Sequence, residues 1–418
     1  MAAARRLGER SLQVALLESR DRAGGRAWSI PTNDADTPAE LGAEFIHGPA
    51  PQTFAMLGEA GLTAVELGEE SWRRDRNGSL QPDEDDFRSA AGIFDDAQRL
   101  PRDESVDEYL RRYSDDQKLR DRAVLARAFV EGFDAADPAI AGVRGIADEW
   151  RSGVDLTSSR PLTGYGRLFD YLQKTLSRTV TLWLSTTVRR ISWRHGQTVV
   201  EAIGRHGERL FFRARRAIVT LPVGVLRARG DGGPVFDPEL PEEKLDALRY
   251  IEMGHVAKVT LAFQTAFWER VKSGRYRDAA FFRDDRGAFP VYWTRMPVRS
   301  TLVAAWAGGP SATALQTFSR DGVIERALEG FGALIDDAQT ARNEFQCAYV
   351  HDWTNDPFAC GAYSYLAVGG EGARALLAKP IDGTLFFAGE ATSSDGQGGT
   401  VNGAFETGER AAEEICNA

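Results

Sequence analysis

The chain has 418 residues, 43% hydrophobic and 27% charged, which predicts a soluble globular protein too long for one core. Its 51 basic and 61 acidic residues give a formal net charge of −10, which disfavours nucleic acid as a partner and mildly attracts a cationic small molecule. Three cysteines, no recognisable signal peptide and no apolar run of about 20 residues predict a reduced, cytoplasmic protein without a disulfide framework or a membrane span.

The first predicted elements are a helix over Ala2–Glu9 and a buried strand over Leu12–Glu18 (LQVALLE). In a dinucleotide-binding fold, a carboxylate at the end of the second strand hydrogen-bonds the adenosine ribose, and Glu18 fits that position. A strand and a G-x-G-x-x-G turn are expected about 20 residues upstream, and this sequence does not contain them. Either the start is wrongly assigned or trimmed, which the intact later motifs favour, or the chain is truly truncated and binds a dinucleotide weakly.

A glycine-rich segment with several arginines, Ser19–Arg26 (SRDRAGGR), follows the strand. Gly24 and Gly25 would let the backbone come close to a cofactor, and arginines such as Arg20 and Arg26 can pair with phosphate. The same letters also suit a solvated basic turn. The position directly after LLE favours the cofactor site.

The middle of the chain alternates between helical and strand patterns. From Thr53 to Trp150 the pattern is helical and charged, and Asp121–Phe133 has apolar residues at i, i+3 and i+4. Arg160–Leu172 predicts a turn before a helix, Thr181–Trp193 two strands, and Ala217–Thr220 a buried strand.

A further strand is predicted over Gly254–Phe263 (GHVAKVTLAF). Lys258 lies inside it, where a cation is costly unless it is paired or hydrated. A lysine in a strand most often faces solvent, so its position alone does not mark a site. Ala288–Trp293 and Thr301–Ala307 are predicted to be neighbouring strands with aromatic residues.

Two aromatic residues, Trp353 and Tyr363, flank a proline-containing turn in His351–Gly370 (HDWTNDPFACGAYSYLAVGG). Both side chains can wall a pocket, where an aromatic face attracts an ammonium group by about 0.5–2 kcal/mol. Packing in the core is the alternative and is the usual fate of such residues.

The last predicted unit, Gly383–Ala412, is a strand, a loop and a helix. Leu385–Ala388 is a short apolar run, the Gly389-Glu390 turn follows it, and the helix begins near Val401. Open α/β sheets bind anions and cofactors where a buried strand leads through a loop into a helix. The same pattern also describes an ordinary packed unit that binds nothing.

The wording of this last unit, FAGEAT…GTVNGAFETGERAA, resembles the C-terminal FAD signature of flavin-dependent amine oxidases. That family includes monoamine oxidases, polyamine oxidases and histone lysine demethylases, and further matches extend over nearly the whole chain. The resemblance implies an α/β fold in which a Rossmann-like FAD domain is interleaved with an α+β substrate-binding domain. It assigns residues 1–50, 155–235 and 350–418 to an N-terminally incomplete FAD domain, and residues 51–154 and 236–349 to the substrate domain.

By resemblance, a set of residues spread over the chain binds FAD: Glu18, Arg20, Gly24, Gly25, Arg26, Gly42, Ala43, Val188, Gly389, Glu390, Thr400 and Val401. Gly42 and Ala43 belong to ELGAEFIHG (Glu40–Gly48), which resembles the loop beneath the flavin ring. In the same loop, His47 is either structural or a site residue.

Individual roles follow from the same resemblance. The backbone of Val188 is implied to accept the adenine edge, Glu390 to hold the ribityl chain, and the backbone at Thr400 and Val401 to face a flavin carbonyl oxygen. Monoamine oxidases carry a cysteine that bonds the flavin where this chain has Ala362, so the FAD is predicted to be non-covalent. Cys360, two positions away, is not expected to substitute.

The resemblance also implies the catalytic and substrate residues. Lys258 matches the lysine that holds a water against flavin N5, and the predicted amine-binding residues are Trp353, Tyr363 and Thr400. W-x-x-D-P-x-x-x-G-x-Y-S-Y resembles the polyamine-oxidase and histone-demethylase version of the family. Many members have a second cage tyrosine where Thr400 stands, so the preferred amine is not specified.

The predicted function is FAD-dependent oxidative deamination of a small-molecule amine, primary or secondary and with polyamines among the candidates. Oxygen is the predicted acceptor, and an aldehyde and hydrogen peroxide are the predicted products. Two alternatives stay open: a non-catalytic remnant with weak or no FAD binding, and a flavin oxidase or desaturase for a non-amine substrate. Lys258 together with Trp353 and Tyr363 argues against the second. No metal site is predicted.

Overall fold

The computed structural model describes residues 1–33, 37–75, 77–83, 87–152, 158–228 and 230–418. Its strands, numbered along the chain within these residues, are β1 (Val14–Leu17), β2 (Ser29–Ile30), β3 (Ala39–Glu40), β4 (Ile46–His47), β5 (Ala64–Glu66), β6 (Ser71–Arg74), β7 (Leu80–Pro82), β8 (Ser158–Pro161), β9 (Val180–Trp183), β10 (Thr187–Arg194), β11 (Gln197–Ile203), β12 (Arg209–Ala214), β13 (Ala217–Val219), β14 (Val235–Asp237), β15 (Ile251–Met253), β16 (Val256–Phe263), β17 (Phe281–Arg283), β18 (Val291–Trp293), β19 (Leu302–Gly308), β20 (Phe345–Val350), β21 (Ser364–Leu366) and β22 (Leu385–Phe387).

The α-helices of the same residues are α1 (Ala2–Glu9), α2 (Pro51–Glu59), α3 (Phe87–Ala91), α4 (Val106–Leu110), α5 (Gln117–Gly132), α6 (Val143–Arg151), α7 (Tyr165–Lys174), α8 (Val223–Arg227), α9 (Glu242–Tyr250), α10 (Gly309–Leu315), α11 (Arg320–Leu334), α12 (Ala338–Glu344), α13 (Ala373–Ala378) and α14 (Val401–Asn417). Short 3-10 turns occur at Gly92–Phe94, Ala97–Arg99, Arg111–Tyr113, Gly230–Gly232, Phe267–Glu269, Val271–Gly274 and Glu390–Thr392. None of the helices in these ranges is long and apolar enough to cross a membrane.

Two parallel strand pairs carry the ends of the chain. β1 pairs with β9, and β13 pairs with β22, but no described strand joins the two pairs. Short, apolar strands covered by helices are typical of parallel sheets, because both faces are buried. Helices α1 and α14 contact each other and the second pair through an apolar cluster that includes Ala3, Phe386 and Ala411. The carboxyl ends of β1 and β22 therefore lie beside the start of α14, around one cavity.

The largest sheet has seven strands in the order β20-β16-β19-β18-β17-β6-β7. Helix α11 packs on it through a core rich in aromatic side chains, among them Phe263, Tyr292 and Phe331. β16 is antiparallel to both of its neighbours, β19 and β20, and it is buried along nearly its whole length. Lys258 is thus carried by an interior strand.

Helices α3 to α6 form a second core, in which Tyr109, Val130 and Trp150 are buried. The periodic segment predicted over Asp121–Phe133 forms the last part of α5, which ends at Gly132. The helical pattern predicted from Thr53 to Trp150 is wrong at β5, β6 and β7, because short strands are set by their pairing partners. The strands predicted near Leu12, Gly254 and Leu385 are present but shorter than their apolar runs. The structure is therefore a mixed α/β fold. Its division into the two interleaved domains stays a prediction, and the boundary near residue 155 lies outside the described residues.

Candidate active site

A cavity of about 920 Å³ runs between the ends of β1 and β22 and the large sheet. Cofactor and ligand pockets typically have volumes of about 300–1,000 Å³. One end of the cavity is bordered by Glu18, Val188 and Gly389, and the other by aromatic side chains and Lys258. The residues predicted to bind cofactor and substrate all border this cavity.

Glu18 lies directly after β1, at the first end of the cavity. Its backbone N–H donates to the carbonyl oxygen of Trp183 at 2.9 Å, and its Oε1 accepts from the backbone N–H of Arg20 at 2.8 Å. Burial raises the pKa of this carboxyl, while Arg20 and Arg22 oppose the shift. Val188 lies in β10, next to an irregularity in its pairing with β11.

The two arginines predicted to meet phosphate or flavin are bound to carboxylates. Arg20 forms two hydrogen bonds with Asp356, at 2.8 and 2.9 Å. Arg26 Nη1 donates to Glu390 Oε1 at 2.9 Å and to the carbonyl oxygen of Ala362 at 2.8 Å. Both guanidinium groups therefore fasten the N-terminal segment to the C-terminal one at the wall of the cavity.

Glycines allow the cavity loops to pack backbone against backbone. A Cβ atom at Gly42 would lie 1.8 Å from the carbonyl oxygen of Arg26 and 3.1 Å from the ring of Trp353. Gly24 has a φ of +101°, and a Cβ atom there would lie 2.7 Å from the carbonyl oxygen of Ala27. The N–H of Ala43 also donates to the Arg26 carbonyl at 3.1 Å. Larger residues at the two glycines would push these loops apart.

Glu390 follows β22, is buried, and accepts hydrogen bonds from several donors. Its Oε2 accepts from Ser364 Oγ at 2.7 Å and from the N–H of Gly399 at 3.1 Å, in addition to the Arg26 bond. Burial alone would raise the pKa of Glu390, but the charges of Arg26 and Arg374 hold it below its usual value. The carboxylate is therefore ionised at neutral pH.

Thr400 caps the N-terminus of α14. Its Oγ1 accepts from the N–H of Gly403 at 2.9 Å and donates to the carbonyl oxygen of Gln397 at 2.8 Å. The hydroxyl is thus used by the cap, while Thr400 and Val401 still border the cavity. A 17-residue helix that starts here presents the positive end of its dipole to the cavity.

Lys258 is only 4% exposed and faces the cavity from β16. Its Nζ donates to Glu44 Oε2 at 2.7 Å and to the carbonyl oxygen of Gly42 at 3.1 Å. Burial lowers the pKa of this ammonium, and Glu44 opposes the shift. Lys258 therefore does not face solvent, unlike most lysines in strands.

Trp353 and Tyr363 border the cavity, and their polar atoms are used by the backbone. Trp353 Nε1 donates to the carbonyl oxygen of Leu41 at 2.7 Å, and Tyr363 Oη donates to that of Phe133 at 2.6 Å. Tyr363 also packs against Gly399. Each ring is fixed, and its apolar surface is what remains for a ligand.

Sequence reasoning missed an aromatic chamber at the second end of the cavity. Its members, which we call the aromatic chamber below, are Phe45, Phe87, Phe129, Phe133, Phe281, Trp293 and Trp306. The ring centroids of Phe45 and Trp293 are 5.1 Å apart, and those of Trp293 and Trp306 are 5.5 Å apart. Phe129 and Phe133 share one predicted segment, and Trp293 and Trp306 lie in two predicted strands, but no motif indicates that these segments meet at one cavity.

His47 also borders the aromatic chamber. Its ring lies 5.0 Å from that of Phe133, and its Nδ1 is 3.1 Å from Ser158 Oγ. Burial lowers the pKa of His47 to about 4, so the imidazole is neutral at pH 7. Nearby Asp134 accepts a hydrogen bond from Trp150 Nε1 at 2.9 Å, and burial raises the pKa of its carboxyl.

Residues 1–416 match the family model described as "Flavin containing amine oxidoreductase". The chain belongs to this family. Its cofactor is FAD, and Ala362 at the cavity wall offers no side chain for a covalent bond. Cys360 does not border the cavity in the described structure.

Individual relatives support the same family. The chain is 26% identical over 437 residues to the rice protein "Lysine-specific histone demethylase 1 homolog 2", covering all of this chain and 56% of that one. The chain spans about half the length of the curated relatives it matches over its whole length.

Solved structures share the fold. A putrescine oxidase mutant from a redesign of cofactor binding has a TM-score of 0.81 at 21% identity, covering 100% of this chain and 96% of that one. A cyclohexylamine oxidase from Brevibacterium oxydans IH-35A has a TM-score of 0.79 at 18% identity, with the same coverage of both chains.

The residues around the cavity fit a bound FAD. A Cβ atom at Gly25, which has a φ of +56°, would meet no atom within 4 Å, so the backbone here borders open space. The capped start of α14 offers a positive helix end, and Glu18 offers a carboxylate at the end of a strand. The cavity thus offers a helix end, a strand-end carboxylate and room beside the backbone for a non-covalent dinucleotide.

Proposed function

We propose that this protein oxidises a small primary or secondary amine with oxygen as the acceptor. One amine, one oxygen and one water would give one aldehyde, one ammonia or smaller amine, and one hydrogen peroxide. The observation that carries the proposal is the single cavity that joins the carboxylate end at Glu18 to the aromatic chamber, where Lys258 and Tyr363 lie. The putrescine oxidase and cyclohexylamine oxidase of the same fold support an amine as the substrate.

At the cofactor end, Glu18 would bind the adenosine ribose and the Val188 backbone the adenine. Glu390 has one hydrogen bond to Oε1, from Arg26, so this oxygen can accept a further bond from a ribityl hydroxyl. The backbone at Thr400 and Val401 would stabilise negative charge on the flavin ring through the positive end of α14. Arg20 and Arg26 would act by holding the loops together.

At the substrate end, FAD when bound supplies the two-electron acceptor for the carbon beside the amine nitrogen. The apolar rings of the aromatic chamber favour the neutral amine, because an unpaired ammonium is costly in an apolar site. Trp353 and Tyr363 orient the amine with their ring faces. Lys258 as an ammonium has three N–H groups, of which two are bound, so one remains to hold a water in the cavity.

The direct test is a visible spectrum of the purified chain, followed by peroxide release on a panel of amines. The panel contains putrescine, cyclohexylamine and a peptide with a dimethylated lysine, and the same panel without oxygen is the control. We expect flavin absorption bands that are lost from the protein on denaturation, and peroxide with at least one of the small amines. Flavin-loaded protein that releases no peroxide with any amine would refute the proposal.

A second candidate is a non-catalytic remnant that keeps the fold and holds no flavin. One observation favours it: no described strand joins the β1–β9 pair to the β13–β22 pair. Dialysis against excess FAD separates the two candidates, since a remnant would remain colourless after the free cofactor is removed.

A further inference from the structure

Lys258 belongs to a cluster of four buried charges that is centred on Glu44. Glu44 Oε2 accepts from Lys258 Nζ at 2.7 Å, while its Oε1 accepts from Arg160 Nη1 at 3.0 Å and from Arg295 Nη1 at 2.8 Å. The four side chains are only 3–7% exposed. Three cations thus surround one carboxylate, in a region where charges are costly unless paired.

Each member of this cluster comes from a different part of the chain. Glu44 follows β3 in the loop that also contains Gly42, Arg160 lies in β8, Lys258 in β16, and Arg295 just after β18. Burial lowers the pKa of Arg160 to about 10, and the three cations hold the pKa of Glu44 well below its usual range against the effect of burial. Glu44 is therefore the common anion of the cluster.

The contacts of Lys258 are directional. Glu44 and the Gly42 carbonyl take two of its N–H groups, and the Trp293 ring centroid lies 5.5 Å from Nζ. Glu40 also acts on Lys258 electrostatically, and burial raises the pKa of Glu40 to about 7. Below neutral pH, where Glu40 is protonated, the negative charge beside Lys258 is accordingly that of Glu44, and Glu40 adds to it as the pH rises.

We propose that Glu44 is a positioning residue for Lys258: its carboxylate directs the ammonium and balances it against Arg160 and Arg295, which leaves one N–H for the cavity. A purely structural cluster would gain little from this arrangement, because buried ion pairs are often no more stabilising than apolar side chains of the same size. This inference rests on the proposed function, in which Lys258 holds a water in the cavity.

The test follows Lys258 itself. The chain has only six lysines, Lys118, Lys174, Lys244, Lys258, Lys272 and Lys379. Labelling with ε-¹³C lysine therefore gives six NMR signals, and Lys258→Met identifies the one that belongs to Lys258. Its titration is compared between the wild type and Glu44→Gln, with FAD in fixed excess. Glu104→Gln is the matched control, since Glu104 is also buried, pairs with Arg112 and does not border the cavity.

Opposite charges at such distances typically displace a titration by about 1–3 pH units. We expect the Lys258 titration to move to lower pH by an amount in this range in Glu44→Gln, and to stay in place in Glu104→Gln. Arg295→Gln removes a competing cation and keeps the Glu44 pair, so it should move the same titration to higher pH. If Glu44→Gln does not fold, Arg295→Gln decides alone.

A Lys258 titration that moves to lower pH in Glu44→Gln and to higher pH in Arg295→Gln supports the positioning role, because general loosening of the fold cannot produce opposite shifts. An unchanged Lys258 titration in Glu44→Gln, or a downward shift in Arg295→Gln, would overturn the inference. The proposed function is tested separately by peroxide release. Shifted titrations without peroxide from any amine would refute the function and keep Glu44 as the partner that directs Lys258.

Discussion

The four buried charges around Glu44 predict which of two variants, Lys258→Met or Glu44→Gln, has the lower free energy of unfolding. Lys258→Met removes one cation and leaves Glu44 bound to both Arg160 and Arg295. The main loss is the hydrogen bond to the partly buried Gly42 carbonyl, so we expect a cost of about 1–2 kcal/mol in the free energy of unfolding.

Glu44→Gln is nearly isosteric but leaves three buried cations without their carboxylate. Removing one partner of a buried ion pair typically costs about 3–5 kcal/mol. The glutamine variant should therefore be less stable than the methionine variant by about 1–4 kcal/mol, although Lys258 is the predicted catalytic residue.

The assay is urea unfolding followed by circular dichroism at pH 7, with FAD in the same excess for each protein, because a bound cofactor stabilises by mass action. Flavin content is measured alongside, and we expect Lys258→Met to retain its flavin while its reduction or reoxidation slows. If Lys258→Met were the less stable variant, Glu44 would not be the carboxylate that neutralises the three buried cations.

Three further predictions concern the cavity loops. Gly42→Ala places a Cβ atom 1.8 Å from the Arg26 carbonyl oxygen, so it should lower the free energy of unfolding by about 1–3 kcal/mol. It should also reduce the flavin retained on gel filtration, and full retention would contradict the close contact of the two loops. Thr400→Ala removes the acceptor for the Gly403 N–H and should cost about 1 kcal/mol in thermal or urea unfolding, and an unchanged midpoint would argue against the cap. The pKa of His47 is about 4 in the folded protein, below its value of about 6.5 in the unfolded chain. The free energy of unfolding should therefore fall as the pH drops from about 6.5 towards 4, because the unfolded chain binds a proton more readily. His47→Phe should reduce this dependence on pH.

Each of these predictions has a matched control. Gly58→Ala in α2 meets no atom within 4 Å and should not destabilise the protein. Thr400→Ser keeps the hydroxyl and should keep most of the cap energy. His195→Phe makes the same substitution at an exposed histidine and controls for the change of side chain itself. If the free energy of unfolding of His47→Phe depended on pH between 4 and 6.5 as strongly as that of the wild type, groups other than His47 would cause the dependence.

Sequence reasoning succeeded where the signal is local. The apolar run at Leu385–Ala388, the start of the last helix at Thr400 and the strand around Lys258 are each set by a few adjacent residues, and the structure has all three elements. The family could also be recognised, since its sequence motif lies within one continuous segment, the last unit. Strand ends were less accurate, because pairing partners rather than apolar runs determine where a strand stops.

The state of individual side chains needed the fold. Arg20 looked available for phosphate, but Asp356, which lies 336 positions away, takes its guanidinium. The aromatic chamber unites Phe45, Phe133 and Trp293 from three separate segments, with no shared motif.

By itself, the sequence determined the family, the strand, loop and helix of the last unit, and the residues at the ends of β1 and β22. Only the tertiary structure decided that Lys258 is buried and paired with Glu44, which lies 214 positions away. The physical reason is that hydrophobic periodicity and turn residues act over a few positions, whereas the burial and charge of a side chain depend on whatever the fold brings beside it.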